Sequence, residues 1–94
     1  MEGSLEARIS DVLRNKFHPS DLDVKNTTRD HMMHGNAGYG VNLETHFYVR
    51  IKSAAFNGMK LMDRHRLVYG ALSFAFNSGL HAIEIDCDSD GQSY

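Results

Sequence analysis

Six histidines are residues of this chain whose type suits transition-metal chemistry, and two of them lie three positions apart in HMMHGNAGYG, 31–40. Neutral imidazole is a common ligand for borderline metals, so His31 and His34 are candidate ligands. The spacing is not that of HExxH, and two histidines do not supply the four ligands that structural zinc takes. A pair of solvated loop histidines is therefore the competing interpretation.

Two other stretches match ligand-binding loops, but their surroundings do not fit. GNAG, 35–38, has the GxxG pattern with which KH domains clamp a nucleic-acid backbone, yet it falls between two predicted strands rather than two helices. DCDSDG, 86–91, resembles the opening of an EF-hand loop, but the glutamate of position 12 would fall at residue 97 and no flanking helices are predicted. We expect a chance match in the first stretch and an acidic tail at 88–94.

A basic cluster lies in the middle of the chain. Residues 44–69 hold five Lys/Arg against two Asp/Glu, although the net charge of the whole chain is −2. The cluster consists of Lys60, Arg64, His65 and Arg66. No nucleophile adjoins His65, so a catalytic base is disfavoured. The cluster predicts either a docking surface for an acidic partner or ordinary solvated surface.

His81 and Cys87 are the last two candidates, and they share one predicted strand. His81 opens HAIEIDC, 81–87, where a lone histidine is more often a rim residue than a ligand. Cys87 lies six residues further on, about 20 Å along an extended strand, which is too far for a common site. As the one cysteine of the chain, it is interpreted as a small buried hydrophobe and excludes an internal disulfide.

Length and composition indicate one domain, 1–94, with a core at roughly 5–87. No run approaches the roughly 20 apolar residues of a membrane span, and the first residues resemble neither a secretory signal nor a transit peptide. We therefore expect a cytoplasmic protein, with a mitochondrial or nuclear location as the alternatives.

The elements that must position these residues follow from hydrophobic periodicity. The pattern predicts a helix at 4–16 with Ser4 as its N-cap, strands at 22–27 and 45–52 paired antiparallel around the glycine-rich loop, and a third strand at 81–87. A short turn at 59–62 and a helix from Asp63 to Asn77, ended by Gly79, lie between the last two strands. The predicted apolar face of that helical region includes Leu61, and Leu67 is predicted to lie beside that face. The order α-β-β-α-α-β predicts an α+β sandwich, with helices packed on a three-stranded sheet.

Several segments together resemble the BolA-like protein family. They are Asn26 followed by His31, ETHFYVRI at 44–51, SAAFNG at 53–58, RHRLVY at 64–69 and GLHAIEI at 79–85. Their order and spacing are compatible with the family over roughly residues 5–86. The resemblance implies the class II KH-like form of the α+β sandwich.

The resemblance also implies a function. Members of the family pair with a monothiol glutaredoxin and share a [2Fe–2S] cluster whose other ligands include glutathione. The ligands implied here are His81 and a loop histidine, for which His31 is favoured and His34 is the alternate. The expected function is a non-enzymatic adaptor in iron–sulfur cluster assembly, trafficking or iron regulation, monomeric or weakly dimeric alone. A KH-like transcriptional regulator that binds nucleic acid is the alternative.

Overall fold

The computed structural model describes residues 4–28 and 44–89, and all structural statements below concern these residues. His31 and His34, the GNAG stretch and residues 90–94 lie outside them. The described elements are helix α1 (Leu5–Phe17), strands β1 (Asp21–Asn26) and β2 (His46–Lys52), a 3₁₀ turn (Ala54–Phe56), helices α2 (Leu61–Ala71) and α3 (Ser73–Asn77), and strand β3 (Ala82–Asp88). The predicted α+β class and element order are confirmed.

Helix α1 begins and ends at the residues that its capping signals predict. The Ser4 hydroxyl accepts a hydrogen bond from the Ala7 N–H at 3.1 Å, as an N-cap does. At the other end, His18 adopts a left-handed conformation with φ of 46°, and its N–H bonds to the Arg14 carbonyl. Pro19 disfavours helical geometry at the residue before it, so the helix stops at Phe17.

The sheet has the order β1-β2-β3 and is mixed. Strands β1 and β2 pair antiparallel, as predicted, with Val24 opposite Val49. Strand β3 pairs parallel to β2, with His46 opposite Ala82 and Lys52 opposite Asp88. The third strand was predicted at 81–87, so the observed strand lies one residue later and takes in Asp88 from the predicted tail.

The core lies between the helices and one face of the sheet. Alternation along β2 buries Phe47, Val49 and Ile51, as its sequence pattern predicts. These side chains meet the apolar face of α1 and the buried residues of the later helical region. The core side chains are Leu5, Ile9, Leu13, Phe17, Phe47, Val49, Ile51, Phe56, Val68, Leu72, Ala75, Leu80 and Cys87.

The helical region before β3 differs from the predicted arrangement. Helix α2 begins at Leu61 after Lys60, so Asp63 lies in its first turn and does not cap it. The predicted helix to Asn77 is interrupted at Leu72, which separates α2 from α3. Leu61 is 60% exposed, so the prediction that it belongs to the apolar face of this region is wrong. Leu67, predicted to lie beside that face, is 40% exposed. Gly79, with φ of 107°, follows α3 in the predicted place.

The 3₁₀ turn is an element that the sequence patterns did not predict. Ser53 is fully buried before it, where its hydroxyl donates to the Phe17 carbonyl at 2.6 Å and accepts from the Ala55 N–H. Phe56 packs against Phe17 with ring centroids 5.2 Å apart. The turn therefore joins the end of α1 to the end of β2.

Candidate functional site

His81 is an exposed residue at the end of the sheet where β2 and β3 begin. Its N–H donates to the Thr45 carbonyl at 2.7 Å, and the Ala82 N–H donates to the same oxygen at 3.0 Å. These two hydrogen bonds to one carbonyl oxygen fix the backbone at His81, while the imidazole stays accessible to solvent. An anchored backbone with an exposed ring is what a ligand for an incoming group requires.

Beside His81 lies His46, a residue that was not predicted as part of the site. The two ring centroids are 5.3 Å apart, with an angle of 45° between the ring planes. His46 is half-buried, and its Nδ1 lies 2.9 Å from the Thr45 hydroxyl. Alternation along β2 puts His46 on the face opposite the buried Phe47, and the parallel pairing with β3 brings it to His81.

The two chain ends that flank residues 29–43 also meet at this end of the sheet. Thr28 is 2% exposed, and its hydroxyl accepts from the Thr45 N–H at 3.0 Å and from the His46 N–H at 3.1 Å. The same hydroxyl donates to the Asn26 side chain at 2.6 Å. The segment that carries His31 and His34 therefore leaves and rejoins the described fold next to His81.

Glu44 joins this end of the sheet to the first helix. Its two carboxylate oxygens accept from the Leu5 N–H at 2.8 Å and from the Glu6 N–H at 3.1 Å. These N–H groups have no partner within the helix, and a carboxylate there also meets the positive end of the helix dipole. The four residues of the stretch ETHF thus contact different parts of the fold. Glu44 binds the start of α1, Thr45 and His46 lie beside His81, and Phe47 packs in the core.

The predicted docking cluster is divided between internal and exposed positions. Arg64 is largely buried, and its guanidinium donates to the Met59 carbonyl at 3.1 Å and to the Cys87 carbonyl at 3.3 Å. Arg66 is exposed and lies 3.8 Å from the Asp63 carboxylate. Lys60 is exposed at the start of α2, and His65 is half-buried. Arg64 therefore has a structural contact that the sequence did not indicate.

Cys87 lies at the far end of β3 from His81. It is 1% exposed and belongs to the hydrophobic core. Burial raises the pKa of the Cys87 thiol, which keeps it protonated at neutral pH. Among the described residues, no three or more His, Cys, Asp or Glu side chains converge in a way that would hold a metal ion. The described site thus offers imidazoles without a thiolate.

Comparison with known proteins decides the family. The model of the family described as BolA-like protein matches residues 13–92. This chain belongs to the BolA-like protein family. In structure it is similar to BolA1 from Arabidopsis thaliana, with a TM-score of 0.82 and 31% identity over 99% of this chain and 100% of that one. It is also similar to the BolA domain of SufE1 from the same plant, with a TM-score of 0.78 and 38% identity over 95% of each chain.

The curated relatives in this BolA-like family include longer proteins. SufE-like protein 1, chloroplastic/mitochondrial, of Arabidopsis thaliana is 40% identical over 88% of this chain, which spans 23% of that protein. Protein BOLA1, chloroplastic, of the same plant is 35% identical over 97% of this chain, which spans 59% of its length. No helix within 4–28 or 44–89 has the length and apolar character to span a membrane.

Proposed function

We propose that this BolA-like chain is a non-enzymatic adaptor that binds a monothiol glutaredoxin and shares a glutathione-ligated [2Fe–2S] cluster with it. The adaptor acts in iron–sulfur cluster assembly or trafficking, or in iron regulation. The observation that carries the proposal is the position of His81. It is exposed at the end of the sheet, and its N–H is hydrogen-bonded to the Thr45 carbonyl. Thr45 is in turn hydrogen-bonded to Thr28, so His81 lies next to both described ends of the chain that flank residues 29–43.

Ligand chemistry supports a shared cluster over one that this chain holds alone. A [2Fe–2S] cluster takes four ligands, usually thiolates, and the one cysteine here is buried away from His81. This chain would supply two imidazoles, and a glutaredoxin thiolate and a glutathione thiolate would supply the other two ligands. Histidine in place of thiolate raises the cluster potential, and it makes binding weaken as pH falls through the imidazole titration. Both properties suit transfer or sensing.

Chain length favours His31 as the loop ligand and keeps His34 as the alternate. His31 lies three positions after Thr28, and three residue steps of chain span at most about 11 Å. The Thr28 hydroxyl accepts a hydrogen bond from the Thr45 N–H, and the Thr45 carbonyl accepts one from the His81 N–H. The length of chain that joins this end of the sheet to the loop histidine is therefore shorter for His31 than for His34, which lies six positions after Thr28.

The exposed part of the basic cluster supports docking of an acidic group. Lys60, directly before α2, and Arg66, on α2, present exposed cationic side chains, and the half-buried His65 lies between them in sequence. Glutathione carries carboxylates, for which such a surface offers favourable charge. We assign docking to these three residues, because the Arg64 guanidinium is already bonded within the fold.

The relatives also support this function. One matched domain is the BolA domain of SufE1, part of a SufE-like protein whose name is linked to iron–sulfur assembly. The same relatives bear the words chloroplastic and mitochondrial, so the cytoplasmic location stays a prediction for this chain.

Visible circular dichroism of a reconstituted mixture tests the proposal. A monothiol glutaredoxin, glutathione and iron–sulfur reagents are combined with this chain, and the bands of the mixed cluster are recorded. His81→Ala is expected to abolish the bands that depend on this chain, because it removes a cluster ligand. His18→Asn is the matched control, since His18 is an exposed histidine at the opposite end of the sheet, and asparagine tolerates its left-handed backbone.

Two outcomes would contradict the proposal. One is a spectrum that His81→Ala leaves unchanged, which would show that His81 is not a cluster ligand. The other is sequence-preferring DNA binding whose affinity falls steeply with salt, which would favour the nucleic-acid alternative.

A further inference from the structure

We propose that the open edge of strand β3 binds an extended, basic segment of a partner protein, which adds to the three-stranded sheet as a further, antiparallel strand. The sheet order places β3 at one edge, with β2 as its neighbour among the described strands. The site uses neither a histidine nor a cluster, so the inference goes beyond the shared-cluster function proposed above.

The hydrogen bonds at the two ends of β3 show which of its residues face β2. The Ala82 N–H donates to the carbonyl of Thr45, directly before β2, and the Asp88 carbonyl accepts from the N–H of Ser53, directly after β2. The N–H and C=O of one strand residue point to the same side, and successive residues alternate. Even-numbered residues of β3 therefore face β2, and odd-numbered residues direct their backbone groups outward.

The outward-facing residues are Ile83, Ile85 and Cys87. The Cys87 carbonyl is covered by α2, because it accepts a hydrogen bond from the Arg64 guanidinium at 3.3 Å. Over residues 4–28 and 44–89, no hydrogen bond reaches the outward N–H and C=O groups of Ile83 and Ile85. A row of open donors and acceptors on an edge strand is a template for an added strand.

The side chains of this edge select the chemistry of the added strand. Glu84 and Asp86 are exposed on the outer face of the sheet, where Asp86 accepts a long hydrogen bond of 3.5 Å from the Tyr48 hydroxyl. Ile83 and Ile85 are half-buried on the core face. A strand that alternates lysine or arginine with apolar residues places its cations beside the two acids and its apolar side chains beside the two isoleucines.

The same acids disfavour a second copy of this chain as the occupant. Two β3 strands paired antiparallel would bring Glu84 and Asp86 of one copy close to the same acids of the other, and like charges across a strand pair are destabilising. Nucleic acid is disfavoured for the same reason, because its phosphates are anionic. A basic protein segment suits both the open backbone groups and the charges of this edge.

A synthetic peptide in which lysine alternates with valine is the probe for this site. Fluorescence anisotropy measures its affinity for the full chain, and amide hydrogen exchange followed by nuclear magnetic resonance locates it. We expect the peptide to slow exchange of the Ile83 and Ile85 N–H groups at least about tenfold, because they gain hydrogen bonds. Exchange of the Ala82 and Glu84 N–H groups should stay nearly unchanged, since these already face β2.

A methylated form of the peptide tests the backbone pairing without any change to the protein. In an antiparallel pair, the valines opposite Ile83 and Ile85 turn their N–H groups toward β3. Methylating the valine nitrogens removes these donors and adds bulk at the edge, so affinity should fall at least about tenfold.

Glu84→Lys and Asp11→Lys form a matched pair that tests the charges. Each replaces an exposed acid that makes no ion pair with another described residue, but Asp11 lies on α1, away from the edge. We expect Glu84→Lys to weaken peptide binding at least about tenfold and Asp11→Lys to change it by less than about threefold. His81→Ala should leave peptide affinity unchanged, so this proposal and the shared-cluster proposal can fail separately.

Four outcomes would overturn the proposal. They are exchange at Ile83 and Ile85 that the peptide does not slow, full affinity for the methylated peptide, and equal losses in Glu84→Lys and Asp11→Lys. The fourth is slow exchange at the two isoleucines in a dimer that forms without peptide, which would identify a second copy of this chain as the occupant.

Discussion

Thr28 is the residue on which the end of the sheet depends most directly. Its hydroxyl is buried and makes contacts with four groups. It accepts from the Thr45 and His46 N–H groups, and it donates to the Asn26 side chain and, at 3.4 Å, to the His46 carbonyl. A buried N–H without a partner costs more free energy than a made hydrogen bond contributes. The hydroxyl therefore couples the stability of the fold to the geometry of His46.

Replacing Thr28 with valine tests this role. The valine side chain has nearly the same shape but cannot accept a hydrogen bond, which leaves two backbone donors unsatisfied. We expect the free energy of unfolding to fall by about 2–3 kcal/mol, measured by urea denaturation. Thr27→Val is the matched control, because Thr27 is only half-buried and its backbone N–H bonds to the His46 carbonyl regardless of the side chain. Equal losses in both variants would refute the assigned role.

At the scale of elements, two contacts tie the helices to the strands through side chains. Glu44 precedes β2 and caps the first turn of α1. Arg64 on α2 reaches the Cys87 carbonyl at the other end of β3. One contact lies near His81 and the other lies far from it, so their substitutions separate effects on the site from effects on the fold.

The Glu44 cap predicts a loss of stability that salt diminishes. Glu44→Gln keeps an acceptor but removes the charge that meets the helix dipole, and we expect a loss of about 1 kcal/mol at low ionic strength. High salt screens the charge and should reduce the difference in the free energy of unfolding between the unchanged chain and Glu44→Gln. Urea denaturation at 20 mM and 1 M salt measures this, and a difference that is independent of salt would exclude the charge as its cause.

The two arginines of the RHR stretch give a matched pair on α2. Arg64→Lys loses the paired donors to Met59 and Cys87, so the free energy of unfolding should fall by about 1–2 kcal/mol. Arg66→Lys changes only an exposed ion pair, so it should alter the free energy of unfolding by less than about 0.5 kcal/mol. Chemical denaturation of both variants checks the ranking, which the reverse order would contradict.

The sequence predicted these elements unevenly, for physical reasons. Helix α1 and strand β2 carry strong local signals, namely a serine cap, a proline stop and strict alternation, and both were located to within one residue. The break at Leu72 has no proline to mark it, and the nearest glycine, Gly70, lies inside α2 two positions earlier. Leu72 is fully buried, so tertiary packing prevails over helical periodicity there.

Prediction of the candidate site was limited by the distance in sequence between partners. Glu44 caps a helix that lies 39 residues earlier, and Thr28 bonds to residues 17 and 18 positions away. His46 joins His81 only through the parallel pairing of β2 and β3. The position of His81 at a strand start was readable from alternation, because that signal is local.

Considered as a whole molecule, the protein separates the exposed imidazole of its candidate site from its thiol. The exposed imidazole of His81 lies where β3 begins, and the Cys87 thiol lies near its end. Six residues of strand span about 20 Å. The thiol is also buried and its pKa is raised by that burial, so it is protonated at neutral pH and unsuited to bind iron.

This separation predicts that Cys87→Ala spares the shared cluster while it weakens the fold. The smaller side chain leaves a gap in the core, and we expect a loss of about 1–2 kcal/mol in the free energy of unfolding. The visible circular dichroism of the glutaredoxin mixture should match that of the unchanged chain, because every thiolate of the cluster is proposed to come from the partner and glutathione. In contrast, His81→Ala should alter the spectrum with little effect on stability, since its ring is exposed. Loss of the cluster bands in a folded Cys87→Ala variant would show that the chain supplies a thiolate, and the division of ligands proposed here would then be wrong.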